Sequence, residues 1–260
     1  HYKNNGNQDN QQGKSFSGTI SVKIINEKMS FSEALALCND TASNCMIKNA
    51  EKSEELVDDE TVDHNLRFIG SDPDNYVWFN NELWRIIGVM NNINDGTGKK
   101  ETRLKIIRNE PYSTGMAWDI DDINDWSQAS LQEELNTIYL NSIQNSYKEM
   151  IDNVVWNLGG TATTGDGRIN MFYERERGNE TFQNSRPTEW TGSIALMYPS
   201  DYGYATSGGG IGRSLCLSYN LFGWHSHDEC YNNDWLYKSG VSQWTLTPVT
   251  GYANGAFLIG

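Results

Sequence analysis

The fold is decided by residues 76–89, which read Tyr76-Val77-Trp78-Phe79-Asn80-Asn81-Glu82-Leu83-Trp84-Arg85-Ile86-Ile87-Gly88-Val89. Aromatic and β-branched residues dominate both halves, as is typical of strands. The Asn-Asn pair between them suits the tight turn of a two-residue hairpin. The stretch therefore predicts a β-hairpin with strands at 76–79 and 83–89.

Strand and helix signals follow downstream of the hairpin. Residues 103–108 predict another strand, and Ser127 is placed to cap a helix. Four apolar residues of that helix share one face, namely Leu131, Leu135, Ile138 and Tyr139. Residues 143–156 are predicted to continue as helix and then strand, and short strands are predicted at 244–248 and 256–259.

The chain divides into three predicted parts. Residues 1–15 are rich in Asn, Gln and Gly and predict a disordered linker. Residues 16–70 predict a variable lead-in with a strand at 16–25 and short helices. Residues 71–260 form the main domain, in which strands and two main helices precede a long tail rich in glycine and tryptophan. This order predicts an α+β fold with a small antiparallel sheet rather than alternating β-α-β units.

Composition limits the classes of partner. The 260 residues carry a formal net charge of -14 and 12% aromatic residues. Nucleic-acid phosphates and anionic lipids both need a basic surface, so neither is an expected partner. No apolar run approaches the roughly 20 residues that span a bilayer. The chain begins at His1 without Met, which predicts a fragment or a processed product whose membrane anchor lies outside it.

The four cysteines predict disulfides. Cys38 and Cys45 form one local pair, and Cys216 and Cys230 form another. Neither pair has the close spacing of zinc or redox sites. Four cysteines allow three pairings, of which two local bridges fit best. Disulfides predict a location outside the reducing cytoplasm.

Candidate metal sites are weak in this sequence. The acidic loop of Asp119, Asp121, Asp122 and Asp125 could hold a structural calcium through oxygen ligands, but it lacks the EF-hand spacing. His225 and His227 could hold a divalent ion, although a solvated loop beside a disulfide is the simpler interpretation. No cofactor is therefore predicted with certainty.

Catalytic signatures are absent from the sequence. It has no nucleophile elbow, no P-loop, no zinc-protease motif and no dinucleotide-binding glycine pattern, so no catalytic residue is assigned. The alternating charges of residues 174–177 predict a salt-bridged segment that fixes long loops. Residues 198–204 form a dense aromatic turn around Asp201, which predicts either a stacking platform for a ligand or simply a packed turn.

Several segments together resemble an uncharacterised domain family of surface proteins in Firmicutes and related host-associated bacteria. The matching segments are 75–89, 104–108, 124–127, Leu131 with Leu135-Asn136, 156–160, 173–178, 190–192, 196–206, 233–236 and 244–248. The resemblance covers about residues 66–260, and the Tyr-Pro-Ser-Asp-Tyr-Gly-Tyr run at 198–204 is its most specific part.

The resemblance implies a loop-rich fold of the C-type-lectin-like kind, in the branch that includes sulfatase-modifying-factor domains. It also implies a secreted or surface-anchored protein with a ligand surface on long loops. Members usually continue into a closing strand with Gly-Val-Arg-Pro, whereas this sequence stops at Gly260. The main domain is therefore expected to lack that strand and to leave an open sheet edge. Either the chain is truncated or a neighbouring chain supplies the strand.

These observations favour a bacterial cell-surface binding or adhesion module over an enzyme. Its expected ligand is a glycan or a surface protein of host or bacterium. The candidate ligand-binding residues are Trp190, Tyr198, Asp201, Tyr202, Tyr204, Trp224 and Trp235. The alternatives are a structural subunit of a surface appendage completed by a neighbouring chain, and an extracellular metal-assisted enzyme. The motifs of calcium-dependent lectins and the close copper-binding cysteine pair of formylglycine-generating oxidases do not occur here, so the resemblance carries over no functional residue.

Overall fold

The computed structural model describes residues 55–162, 167–179, 186–250 and 256–259. The predicted linker at 1–15, the strand at 16–25 and the Cys38/Cys45 pair lie outside these residues. Within them the chain is a mixed α and β structure with small, mostly antiparallel sheets and few helices, which is compatible with the predicted α+β class.

The largest sheet has five antiparallel strands. They are β1 (Leu56–Asp58), β2 (Leu66–Phe68), β3 (Tyr76–Phe79), β4 (Glu82–Asn94) and β5 (Lys100–Arg108). The 13-residue β4 is the central strand, and β2 and β3 pair with successive parts of one of its edges. On its other edge β4 pairs with β5.

The predicted hairpin is confirmed. Its register runs from Tyr76 opposite Arg85 to Phe79 opposite Glu82. Asn80 and Asn81 have φ angles of 52° and 59°, the positive values that a tight two-residue turn demands. The predicted strand at 103–108 is also confirmed, as β5.

One glycine of β4 allows β2 to pair closely. A Cβ atom added at Gly88 would lie 2.1 Å from the carbonyl oxygen of Leu66. Any larger residue at this position would therefore separate β2 from β4. The glycine keeps the two strands in register, with Arg67 of β2 directly opposite Gly88.

The predicted helix exists, but its start and one face differ from the prediction. The helix α1 covers residues 130–142 and contains an inner π-helical turn, Glu134–Tyr139. Ser127 does not cap it, because Ser127 lies in a separate 3-10 turn, Trp126–Gln128, which Asp125 caps. The wider π turn places Leu131, Leu135 and Tyr139 in the core and leaves Ile138 exposed.

Shorter elements complete the described structure. The helices are α2 (Asn145–Lys148), α3 (Ile169–Arg175), α4 (Pro199–Tyr204), α5 (Arg213–Ser218) and α6 (Asp228–Tyr231), and the strands are β6 (Val154–Asn157), β7 (Thr161–Ala162), β8 (Glu189–Gly192), β9 (Gln243–Thr250) and β10 (Ala256–Ile259). The 3-10 turns are Gly209–Ile211 and Leu221–Ser226. β6 pairs with β8, and β9 pairs with both β10 and β7. The two terminal strands predicted from the sequence are thus confirmed.

The boundary predicted between residues 70 and 71 falls inside the folded unit. β1 and β2 lie before it but belong to the same sheet as β4. Gly70 donates its N–H to the Ala205 carbonyl at 2.9 Å and accepts one from Trp235 at 2.9 Å. Residues 55–70 are therefore part of the main domain rather than of a separate lead-in.

The C-terminal half packs around the confirmed Cys216–Cys230 disulfide, which joins α5 to α6. Both cysteines are fully buried in the largest hydrophobic cluster, beside Trp224 and Tyr202. Such a bond fits a protein outside the reducing cytoplasm. In the described part of the chain, no helix has both the length and the apolar character needed to cross a membrane.

Replacing Cys216 and Cys230 together by alanine is expected to lower the free energy of unfolding by about 3 kcal/mol. The bond closes a loop between residues 14 apart, and opening it enlarges the unfolded ensemble. Urea unfolding of the double variant against the wild type measures the loss. The alanine variant isolates this bond, whereas a reductant would act on every cystine of the chain. An unchanged unfolding midpoint would contradict the structural role.

Candidate functional site

A large groove lies along β5. Its volume is about 1730 Å3, and its walls come from β3, β4, β5, α1, β6 and the segments 109–117, 193–198 and 235–244. Clefts of this kind, with apolar walls and a few fixed polar groups, are the usual form of a ligand site. The groove is therefore the first place to look for function.

Exposed apolar side chains are concentrated around this groove. Of the 13 large hydrophobic side chains that are exposed in the described structure, seven line it. An apolar patch left open to water is typical of an interaction surface. The seven are Val62, Trp78, Leu104, Tyr112, Met150, Val241 and Leu258.

A buried ion network forms the floor of the groove. Arg67 of β2 donates from Nε to Asp59 at 2.8 Å and from Nη1 to Asp201 at 2.9 Å. All three side chains are almost completely buried. Burial opposes the charges of both carboxyls, yet Arg67 helps to hold the pKa of Asp59 and of Asp201 below the ordinary value.

Lys105 connects β5 to the same network. Its Nζ donates to Asp201 at 2.5 Å and lies 4.5 Å from the ring centre of Tyr198 and 5.3 Å from that of Trp156. Burial lowers the pKa of Lys105, and the charge of Asp201 opposes this effect. Asp201 also accepts the backbone N–H of Tyr198 at 2.8 Å, so one carboxylate fixes β2, β5 and the start of α4.

Glu176 is the unusual acid of this floor. Its carboxyl group contacts the hydroxyl of Ser200 and accepts the Ser200 backbone N–H at 3.4 Å. Burial, followed by the nearby charge of Asp201, raises the pKa of Glu176 to about 8. Glu176 is therefore protonated and neutral at pH 7, which suits its place inside the protein.

A second arm of the network lies behind Arg67. Asn65 donates to Asp59 at 2.9 Å and to the hydroxyl of Tyr173 at 2.7 Å. That hydroxyl contacts Asp63, which also accepts from Arg177 Nε at 3.0 Å. The polar groups of the floor thus satisfy one another and give the groove a rigid base. A ligand would find the apolar walls and rim open, and the buried charges already paired.

The charged run at 174–177, which was expected to be a salt-bridged segment that fixes long loops, lies at the end of α3. Residues 169–175 form this helix, and Glu176 and Arg177 follow directly after it. Within the run, Arg177 forms an ion pair with Asp63. Arg175 and Glu176 are both buried, so the run is part of the interior.

The predicted exposure on a loop surface is wrong for six of the seven candidate ligand-binding residues, which are five aromatic residues and Asp201. Tyr198, Asp201, Tyr202, Tyr204, Trp224 and Trp235 are all buried. The seventh, Trp190, is half-buried and packs edge-on against Trp126 at 6.1 Å between ring centres. The rings were misplaced because aromatic residues between glycines are as suitable for a core under long loops as for a surface. Three of the seven, Tyr198, Asp201 and Trp235, do line the groove.

Two of the four candidate calcium ligands serve as helix and turn caps. Asp119 accepts the backbone N–H of Ser130 and of Ile123, each at 2.9 Å. Asp125 accepts both the backbone N–H and the hydroxyl of Ser127. Asp121 and Asp122 are exposed. In the residues that the structure describes, no group of three or more His, Cys, Asp or Glu side chains could hold a metal ion.

The two candidate histidines lie apart from the groove. His225 contacts the Phe222 carbonyl through Nδ1 at 3.2 Å, and His227 stacks on Tyr219 with 4.0 Å between ring centres. Both therefore have local packing roles. A structural calcium and a metal-assisted activity stay predictions without a located site.

Sequence reasoning missed the residues that build the floor. Lys105 and Arg67 each interrupt an otherwise apolar strand, as Leu104-Lys105-Ile106 and Leu66-Arg67-Phe68. A single charged residue inside a short apolar run is a signal of a buried ion pair. That signal was available, but its partner Asp201 lies too far away in sequence to be identified from it.

No protein-family model matches the chain, and neither a curated protein nor a solved structure matches it.

Proposed function

We propose that this chain is a bacterial cell-surface binding or adhesion module with a C-type-lectin-like fold, and that its ligand occupies the groove beside β5. The observation that carries the proposal is the concentration of exposed apolar side chains around a groove with a rigid, charge-paired floor. Expected ligands are a surface protein or a glycan. The predicted ligand surface moves accordingly, from the loops at 190–235 to the groove walls.

Two further features support an extracellular binding role. The Cys216–Cys230 disulfide fits an oxidising compartment. The small, mostly antiparallel sheets and the few helices are compatible with the α+β class, to which the proposed C-type-lectin-like fold belongs. The family resemblance adds the expectation of a bacterial surface.

Replacing Trp78 by alanine is expected to weaken capture of the ligand by about tenfold or more, because an exposed tryptophan on an apolar rim is the residue type that dominates binding energy. The test compares retention of wild type and variant on a glycan array and on immobilised host and bacterial surface proteins. Ile138→Ala is the matched control, since the two side chains are 63% and 62% exposed and only Trp78 lines the groove. Equal losses in both variants, or no binding by folded wild type, would contradict the proposal.

A second candidate function is a structural subunit of a surface appendage. It is supported by β5, whose outer edge pairs with no strand within the described residues and could accept one from a neighbouring copy. Light scattering over a wide concentration range distinguishes the two functions. Growth of assemblies with concentration favours the subunit, whereas a persistent monomer that binds a ligand favours the binding module.

A further inference from the structure

The contact between Lys105 and Asp201 places an amine directly against a carboxyl group inside the protein. Nζ of Lys105 lies 2.5 Å from Oδ2 of Asp201, and the carboxyl carbon is bonded to that oxygen. The Lys105 side chain is 16% exposed and that of Asp201 is 1% exposed, so little water competes for either group. Two reacting groups held in contact gain much of the advantage that enzymes obtain from proximity.

A surface pair of the same chemical type shows what burial adds. Lys99 contacts Glu101, but the Lys99 side chain is 69% exposed. Water stabilises the charged ammonium there, and an ammonium has no free electron pair with which to attack a carboxyl carbon. Burial lowers the pKa of Lys105, although the charge of Asp201 opposes this effect. A buried lysine gives up its proton more readily and is the form of the residue that serves as a nucleophile.

Arg67 prepares the carboxyl group of Asp201 for attack. Its Nη1 donates to Oδ1 at 2.9 Å, whereas Lys105 contacts the other oxygen, Oδ2. Attack on the carboxyl carbon places negative charge on Oδ1, and a fixed guanidinium is the type of group that stabilises such an oxyanion. The Arg67 side chain is almost completely buried, so it is held in position before any reaction begins.

Glu176 supplies a proton carrier beside the same carboxyl group. It contacts the hydroxyl and the backbone N–H of Ser200, the residue that precedes Asp201 in the chain. Burial, followed by the charge of Asp201, raises the pKa of Glu176 to about 8, so Glu176 carries a proton at pH 7. Glu176, Lys105 and Asp201 all line the groove, which gives a released water molecule a way out.

We propose that Lys105 and Asp201 condense in the folded protein to an amide bond, with Glu176 as the proton carrier and with loss of one water molecule. One proton first passes from the Lys105 ammonium to Oδ2 of Asp201. The free electron pair of Nζ then forms the N–C bond. Glu176 gives a second proton to Oδ2 and regains one from Nζ, and the C–Oδ2 bond breaks as water leaves. The three hydrogens of the ammonium end as one on the amide and two in the water.

The bond gives the floor of the groove a covalent link between β5 and α4. It spans 96 sequence positions, whereas the cysteines of the Cys216–Cys230 disulfide are 14 apart. A closed loop limits how far the unfolded chain can extend, and a longer loop limits it more. The inference goes beyond the proposed binding function, because the link does not depend on which ligand occupies the groove.

The mass of the intact, purified full chain tests the proposal. The folded protein is expected to be lighter than its sequence mass by one water molecule, beyond the two hydrogens lost for each disulfide. After reduction and digestion with trypsin, cleavage after Lys105 is expected to be absent, and one branched peptide should join Lys105 to Asp201. Lys105→Arg keeps the charge but lacks the amine, so it should have the full sequence mass. Lys99→Arg is the matched control and should lose water as the wild type does.

Glu176→Gln distinguishes a proton carrier from a residue that only fills space, since glutamine keeps the shape of the side chain but has no acidic proton. Bond formation is expected to slow by about a hundredfold or more. The rate is followed after pulsed cell-free synthesis, because the closed loop and the open chain migrate differently on a reducing, denaturing gel. Matching melting curves show that the variants fold, and the mass of the wild type is independent of every variant.

Three results would overturn the inference. The first is a folded wild type that keeps its full sequence mass after prolonged incubation. The second is a loss of water that persists in Lys105→Arg or that peptide mapping places elsewhere, for example at Asp95-Gly96, where an aspartate can cyclise onto the next amide. The third is an equal rate of bond formation in the wild type and in Glu176→Gln, which would remove Glu176 from the reaction.

Discussion

Arg67→Met is expected to lower the free energy of unfolding by about 3–5 kcal/mol, the range found when one partner of a buried ion pair is removed. The guanidinium of Arg67 is the common partner of Asp59 and Asp201, and none of the three side chains reaches solvent. Methionine has a similar volume, so the loss reports uncompensated charge rather than a cavity. Urea unfolding at pH 7 measures it.

The control for this prediction is an ion pair on the surface. Lys99 contacts Glu101, but the Lys99 side chain is 69% exposed, so Lys99→Met is expected to change stability by about 0.5 kcal/mol or less. Adding Asp59→Asn to Arg67→Met should recover part of the loss, since it removes the carboxylate that has lost its cationic partner, whereas Asp201 keeps Lys105. A loss below about 1 kcal/mol for Arg67→Met would show that water reaches the network in solution.

Stability is expected to fall as the pH rises from about 5 to about 8, and Glu176 is a main cause. Its pKa is raised to about 8 in the folded protein, so between the ordinary value of 4.5 and 8 the native state holds a proton that the unfolded chain releases. A native state that binds the additional proton loses stability with rising pH, by about 1.4 kcal/mol per pH unit for one group. Below the ordinary value this contribution no longer changes.

Glu176→Gln should remove this contribution, because an amide keeps the shape and the contact with Ser200 but cannot ionise. The measurement is the free energy of unfolding in urea at pH 5, 6, 7 and 8, and the slope of the variant should be shallower by about 1.4 kcal/mol per unit. Burial raises the pKa of Asp234 as well, so part of the wild-type slope remains. Glu149→Gln on the surface should keep the full slope. Parallel lines for wild type and Glu176→Gln would contradict the prediction.

Local sequence patterns predicted the strands well, because a hairpin depends mainly on the residues of its own strands and turn. The hairpin at 76–89 depends on two asparagines that accept positive φ, and both residues and angles agree. The helix face was predicted less well, since the π turn shifts Ile138 out of the stripe formed by Leu131 and Leu135. Nothing in the spacing of apolar residues reveals such a turn in advance.

The candidate site could be predicted only in small part. Tyr198, Asp201 and Trp235 were singled out from sequence and do line the groove, but as buried groups rather than as a displayed surface. The groove itself depends on which strand pairs with which edge of β4. That strand order is set by contacts between residues that lie far apart in the sequence. Arg67 and Lys105 meet at Asp201 for the same reason, because neither strand contains the acid that they share.

The shared carboxylate of Asp201 has a consequence for the order in which the protein assembles. It contacts Arg67 and Lys105, which lie 134 and 96 positions earlier in the sequence. The ion network of the floor can therefore form only after the chain has been synthesised as far as α4. Contacts of such long sequence separation form slowly, because the intervening chain must first be brought together. Until α4 has been made, Lys105 therefore lacks the carboxylate that it contacts in the folded protein. Arg67 is in a different position, because its other partner Asp59 is only eight residues away in the sequence.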